Sequence, residues 1–561
     1  MAIERHLVEA DCASTDIDRG WRDWLLASLL ALPVVGLYAI HAVNAPPGFG
    51  PSGFVQYDQL YYMANARELL DSGGGLTYGN PFSPDYTTAK VYFQPITAIL
   101  AAILWSTGAD PGTIFVAFGA VVVLLCLRTM IALYRHLFPL RDFADHLGLL
   151  IFAWGGGLLV AGGLARMVVT GDPDVLAYDP GAGWWFLNLG RNLVYPTEAL
   201  YHLLFLGAVL QLLRRRWATG IALAAVLSAS HPFTGIELLG ILFGWWLLER
   251  FVVANRAVPN WFGGGLAVLI AIHLAYYLVF LHLNPEHRSL FIQWRSFEAL
   301  LTWKTIVLAY APVGGLALWS LRRGELVHAV FAIAHNRLFA VWFAGAFVLA
   351  NNDLLIQPIQ PLHFTRGYIW TPLFLLGAPL LVSILRHLVG QRRPVGLAAA
   401  AALTGIFLFD NAAWILLKLR QPVGLYLTTN QRALFDWLGS EANRGGLVLA
   451  NPQLAYSATA YTPLRGWLTH YYNTPFKALR KAELDALFTT GKLPAATDTR
   501  TVLVIRDEQL AEGPTMLGMN RESRVVYRKG TITVWRVEPE FNPDPVPKPR
   551  ASTTRPPRPK A

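Results

Sequence analysis

Phe93-Gln94-Pro95-Ile96-Thr97-Ala98-Ile99-Leu100-Ala101-Ala102-Ile103-Leu104-Trp105-Ser106-Thr107-Gly108 is the stretch that decides how this chain is threaded. Its apolar run, 93–107, falls short of the roughly 20 residues a helix needs to cross a bilayer. Gln94-Pro95 and Gly108 bound it. If it crossed fully, Arg135-His136 and Arg141 would lie outside. If it dips in and returns, Arg135, Arg141, Arg214-Arg215-Arg216, Arg250, Arg256, Arg322-Arg323, Arg386, Arg392 and Arg393 all face the cytoplasm. The second threading obeys the positive-inside rule. It predicts eleven spans, at 22–43, 113–134, 146–166, 196–213, 218–230, 234–250, 262–283, 303–321, 328–350, 368–386 and 395–415, plus one re-entrant or partial helix. The N-terminus is then inside, and everything after 418 is outside.

Composition agrees. Of 561 residues, 54% are hydrophobic and 15% charged, with mean hydropathy +0.39. These values belong to an integral membrane protein. The net charge of +10 does not point to nucleic acid, because the basic residues fall in short loops between apolar runs. The 19 tryptophans suit interfacial anchoring. The two cysteines, Cys12 and Cys126, form no disulfide framework and no Cys/His metal pattern. Glu4, Arg5, Asp11, Asp16 and Arg19 precede the run 24–43, which reads as an uncleaved first span.

Beyond 418 the apolar runs shrink to strand length, as in Leu447-Val448-Leu449-Ala450 and Val502-Leu503-Val504-Ile505. Between them a helix is expected over 477–487, with Thr474 as N-cap and Pro475 at its first position. Residues 524–537 read as a hairpin turning at Lys529-Gly530. The organisation expected is therefore a cytoplasmic tail (1–21), an all-α polytopic membrane domain (22–418), a small extracytoplasmic α/β domain (419–541) and a disordered basic, Pro-rich tail (542–561).

Three outer loops carry the polar residues, 44–92, 167–195 and 351–367. The first holds Gly53-Phe54-Val55-Gln56-Tyr57-Asp58-Gln59-Leu60-Tyr61-Tyr62. Asp58 and Tyr62 stand at i and i+4 on an amphipathic stretch, so they share one helix face. Asp58 is either a solvated residue on an interfacial helix or a general base. The second holds Asp172-Pro173-Asp174, Asp179 and Arg191. A DxD pair can hold a divalent ion or orient an acceptor, and it is equally an ordinary solvated turn. The third holds His363 and Arg366 at the mouth of a span. A planar guanidinium suits a phosphate at the membrane boundary, and it also suits snorkelling to head groups. His231 sits in Ser230-His231-Pro232-Phe233-Thr234-Gly235, at the outer turn between two short spans. Arg166 and Arg191 are further phosphate candidates. Glu237 and Asp410 lie in apolar helices, near enough to the outer ends to reach water.

This layout resembles the GT-C glycosyltransferases, the multi-span family that includes protein mannosyltransferases, aminoarabinose transferases and oligosaccharyltransferases. The similar features are Tyr57-Asp58-Gln59-Leu60-Tyr61 after the first span, the following Ala64-Asn65-Ala66-Arg67-Glu68-Leu69-Leu70, the Gly-rich link to Phe93-Gln94-Pro95, and the turn at His231-Pro232. In the outer domain, Leu468-Thr469-His470-Tyr471-Tyr472-Asn473-Thr474-Pro475-Phe476 followed by Arg480 looks like a segment of bacterial members. One departure is that Gln59 follows Asp58, where many members carry a second acidic residue. That removes the partner for a first-loop metal site.

The resemblance implies transfer of a sugar from a polyprenyl-phosphate donor to a glycan, lipid or protein hydroxyl on the outer face of a bacterial inner membrane. It implies inversion, with Asp58 as base. Arg366, His363, His231 and Arg191 would face the donor phosphate, and Tyr62, Asp172 and Asp174 the acceptor side. A cofactor is not specified, and a metal on Asp172 and Asp174 stays open. The competing classes are a lipid-linked-glycan flippase and a non-catalytic assembly protein. A flippase calls for midplane charges between repeated halves, and no clear internal repeat is present.

The threading is checked by a reporter active only in the cytoplasm, fused after residue 418. Silence is expected, and activity there would mean that 93–107 crosses.

Overall fold

A computed structural model describes residues 17–73, 75–295, 301–322, 330, 332–391, 393–420, 424–440, 443–497, 501–510 and 522–539. Cys12, Arg323, Arg392 and the tail expected over 542–561 lie outside them. Among the described residues, six helices are long and apolar enough to cross a membrane. They are Pro111–Leu137, Pro196–Leu213, Asn260–Leu283, Trp303–Arg322, Trp370–Gly390 and Pro394–Leu419. Two bent pairs, Gly20–Leu30 with Leu32–Val43 (48°) and Phe143–Trp154 with Leu159–Thr170 (70°), raise the total to eight if each is one span. The chain is an integral membrane protein.

The count expected from sequence was eleven. Of those spans, 218–230 falls on the shorter apolar helix Trp217–Ser230, and 328–350 falls on Ala334–Ala350 and on residues outside the described ones. An apolar run fixes the solvent a segment prefers; only its helical length fixes whether it crosses. The decisive run forms the helix Pro95–Thr107, 13 residues long. At 1.5 Å per residue that is about 20 Å, against a hydrocarbon core of about 30 Å.

Local chemistry sets many of these boundaries. Proline stands at the start of the helices beginning at 95, 111, 196, 232 and 394, where its missing N–H costs nothing. Gly108 ends the short helix in the left-handed region (φ 60°). Asp142 and Asp145 form a capping box at Phe143–Trp154, and both also bind Arg386 at 2.7 Å.

The chain divides into two compact units. The first holds all the candidate spans and comprises 1–81 and 87–432. In it β1 (Phe49–Pro51), from the first loop, pairs antiparallel with β2 (Tyr426–Thr428), from the chain after the last span. Asp410 and Glu237 do not reach water, contrary to expectation; both are fully buried. Asp410 accepts from Val160 N at 2.8 Å and pairs with Arg191 at 3.1 Å. Arg191 also pairs with Asp179 and donates from Nε to Asn411 Oδ1 at 2.8 Å. This knot ties the second loop to the helix Pro394–Leu419. Burial pushes the Asp179 carboxyl up, and Arg191 pulls it back down.

The second unit comprises 82–86 and 433–561. Its five-stranded sheet has the order β4 (Arg465–Gly466), β3 (Leu447–Leu449), β5 (Val502–Asp507), β7 (Ile532–Val537), β6 (Ser523–Lys529). Strand β3 runs parallel to β4 and β5. The expected hairpin is β6–β7, with Gly530 at φ 55° in the turn. Leu447, Leu449, Leu484, Leu487, Val502, Val504 and Val537 form its core. The helix expected after Pro475 is Lys477–Thr490, but its cap is Phe476 in the left-handed region. Thr474 instead donates to His470 O at 2.8 Å and accepts from Thr469 N at 3.2 Å, holding the preceding turn. The tip of the first loop belongs to this unit. Phe82 packs on His470 and Tyr456, while Arg480 donates to Phe82 O and Arg465 to Ser83 O and Asp85 O.

Removing one partner of a buried ion pair leaves the others uncompensated, at about 3–5 kcal/mol. Arg191→Ala should therefore lower the unfolding midpoint of the purified protein in detergent by that equivalent. A loss under about 1 kcal/mol would mean that the Arg191 knot contributes little to stability.

Candidate functional site

Gln59–Asp71 forms the amphipathic helix of the first loop, with Asp58 as its N-cap residue. Asp58 does not bond the helix's own N–H groups. Gln56 fixes it from both sides: its Oε1 accepts from Asp58 N at 2.6 Å and its Nε2 donates to Asp58 Oδ2 at 3.3 Å. Asp58 is half-buried. One turn on, the Tyr62 hydroxyl lies 3.2 Å from that of Tyr201. The sequence reading that put Asp58 and Tyr62 on one face thus leads to the helix Pro196–Leu213.

That helix supplies residues the sequence reading passed over. Glu198, Tyr201 and His202 fall at i, i+3 and i+4, on one face of its outermost turns. Glu198 is in the first turn, where the helix dipole favours a negative charge. It forms an ion pair with Arg366. Its side chain is 1% exposed and that of Arg366 is 14% exposed, so the arginine stands between Glu198 and solvent. Only Arg366 Nη1 is tied to Glu198; among the described residues Arg366 Nε and Glu198 Oε2 have no partner. The guanidinium also lies 5.6 Å from the Trp185 ring centroid. His202 Nδ1 lies 2.8 Å from Glu198 O, and its Nε2 lies 2.8 Å from Arg366 O. Gly367 follows at φ +82°, and a Cβ there would come 3.0 Å from Leu189 Cα. Glycine is required to turn the chain just past Arg366.

His363 lies in the turn Pro361–Phe364. Its ring stacks on Phe233 (4.5 Å, 19°), meets Trp185 edge-on at 5.2 Å, and lies 5.8 Å from His231. His231 caps the helix Pro232–Leu247: its Nδ1 accepts from Thr234 N at 3.1 Å, so Nε2 carries the proton. His363 Nδ1 is buried without a partner among the described residues. Burial pulls the His363 imidazole down to about 4, and the charge of Asp58 opposes that pull. Burial pulls the Arg366 guanidinium down from its usual value, and Tyr62, Tyr195, Tyr368 and Asp58 oppose that pull. Asp58, Tyr62, His231, His363 and Arg366 therefore form one cluster. Beside it an apolar recess is lined by Phe233, Phe291, Trp294, Ile359 and Gln360.

The other sequence candidates are engaged elsewhere. Arg191 is fully buried in its knot with Asp179 and Asp410, so its guanidinium is not offered to a ligand. Asp172 pairs with Arg166 and accepts from Asp174 N at 3.0 Å, while Asp174 accepts from Leu176 N at 3.0 Å. Both carboxylates serve the local turn. Among the described residues no group of three or more His, Cys, Asp or Glu is arranged to hold a metal ion.

The depressed His363 pKa has a consequence for stability. Unfolded, the imidazole takes a proton near 6.5; folded, it stays neutral down to about 4. The unfolded state binds more protons in between, so stability is full above 6.5 and falls as the pH drops from 6.5 towards 4. His363→Gln should flatten the unfolding midpoint across that window. An unchanged slope would show that other groups carry it.

No family model and no curated protein matches this sequence. Solved structures similar to it include two of the Archaeoglobus fulgidus oligosaccharyltransferase. One, tethered to an acceptor peptide, has a TM-score of 0.49 and 11% identity, over 87% of this chain and 69% of that one. The other, with an inhibitory peptide and a dolichol-phosphate, has a TM-score of 0.48 and 11% identity, over 87% and 70%.

Proposed function

We propose that this chain is a GT-C-type membrane glycosyltransferase. It moves one sugar, with inversion, from a polyprenyl-phosphate donor to an acceptor hydroxyl at the outer face of a bacterial inner membrane. The observation that carries the reading is the convergence of a half-buried carboxylate, Asp58, with Arg366 and two neutral imidazoles beside an apolar recess. A base and a phosphate grip are the two parts the chemical step needs.

Asp58 takes the proton of the acceptor hydroxyl as the sugar's anomeric carbon is attacked from the side opposite the phosphate. The C–O bond to the phosphate breaks, and its electron pair leaves with the phosphate oxygen. Arg366 receives that growing charge with a planar pair of donors. His363 and His231, both neutral, add N–H donors without adding charge. Tyr62 lines the acceptor side. On this reading the N-terminus is inside, and the lipid phosphate meets the loops at the outer membrane boundary.

Asp58→Asn preserves shape and removes the base. Turnover should fall on the order of 100-fold or more with expression unchanged. The assay is sugar transfer from a radiolabelled lipid-linked donor in membranes carrying the variant. Near-normal transfer would place the base elsewhere. Arg366→Ala should lower both turnover and donor affinity, and Arg366→Lys should recover only part, since one ammonium lacks the fork. Unchanged donor affinity in Arg366→Ala would reduce Arg366 to a head-group anchor.

A further inference from the structure

We infer that Glu198 is the positioning residue for Arg366, and that it restrains the phosphate grip as well as aiming it; this rests on the transferase reading above. Glu198 binds the guanidinium through Nη1 alone. The Nε edge has no partner among the described residues. A guanidinium offers two edges that each suit a pair of oxygens. One is thus turned inward to a buried counter-charge, and the other is left for a ligand.

The charges of the cluster say what this does. Asp58 and Glu198 are negative, Arg366 is positive, and His363 is neutral above about pH 4. The cluster is then net negative before any donor arrives. A phosphodiester donor brings one negative charge, and the departing phosphate monoester approaches two at neutral pH. Glu198 opposes both, but the geometry of the pair gives it a second effect. His202, on the same helix as Glu198, reaches the backbone of Arg366: its Nε2 lies 2.8 Å from Arg366 O. The turn carrying Arg366 is therefore tied to the helix that carries Glu198. The side chain of Glu198 is buried behind the arginine, so it fixes which way the free edge points. Glu198 lowers ground-state affinity for phosphate and holds Arg366 where the leaving charge develops. Interactions held in place before reaction raise turnover, whereas extra ground-state binding does not.

Glu198→Gln keeps an oxygen that accepts from Arg366 Nη1 and removes the opposing charge. It should bind phosphate more tightly, on the order of 5-fold, while turnover falls on the order of 10-fold. A residue that merely supported the fold would lower affinity, turnover and thermal stability together. The probe is farnesyl monophosphate, titrated into the detergent-purified full chain as wild type, Arg366→Ala, Glu198→Gln and Glu198→Asp. Expected are binding by wild type, loss in Arg366→Ala, and tighter binding in Glu198→Gln. Equal or weaker binding in Glu198→Gln, with wild type binding and Arg366→Ala not, overturns the role of Glu198 and leaves the transferase reading standing. No binding by wild type removes the transferase reading and this inference with it. If Glu198→Gln does not fold, Glu198→Asp decides. Its shorter arm draws the charge back from Arg366, so affinity must rise by a smaller factor; affinity at or below wild type overturns the inference.

Discussion

A guanidinium taken out of water must be neutralised by a partner that is itself held in place, since the effective penalty is several kcal/mol per ion. Three arginines among the described residues of the membrane unit show how this constraint is met. Arg191 is enclosed by Asp179, Asp410 and Asn411. Arg337 is paired with Glu249, whose other oxygen takes Asn255. Arg366 is paired with Glu198. The first two are fully built: their donors meet acceptors within the protein, and they join segments far apart in sequence. The third is half-built. One edge of its guanidinium is neutralised, and an arginine left in that state is the natural place for an anion.

The same logic separates the carboxylates. Asp172, Asp174, Asp179 and Asp410 are each committed to a turn, a backbone N–H or an arginine. Asp58 is held by Gln56 through both its backbone N–H and its carboxylate. The neighbouring imidazoles of His231 and His363 are kept neutral by burial. Helix ends set this arrangement: Asp58, Glu198 and His231 all lie at or within the first turn of a helix. Such positions combine a fixed backbone with a side chain that points out of the hydrogen-bonded ladder.

Much of this was legible in the sequence. Apolar runs, prolines at helix starts and glycines at helix ends marked the helices, because backbone satisfaction inside a bilayer leaves few alternatives. The hairpin at Lys529-Gly530 followed from alternation and turn chemistry. Asp58, Tyr62, His231, His363 and Arg366 stood out as polar residues at the mouths of apolar segments. The sequence alone therefore determined that this is a helical membrane protein with a small mixed domain, and it named five residues of the cluster. What tertiary structure decided was partnership. Arg191 and Arg366 look alike in sequence, as do Asp172 and Asp58, since each is a charge in an outer loop. Only the packing of the second loop on Pro394–Leu419 shows that Arg191 is enclosed, and only the packing of the third loop on Pro196–Leu213 shows that Arg366 is half-paired. Glu198 could not be found by pattern, because an acidic residue in a first helical turn is ordinarily just a favourable charge at the dipole's positive end. A charge's function depends on which counter-charge reaches it, and that is a long-range contact which no local spacing encodes.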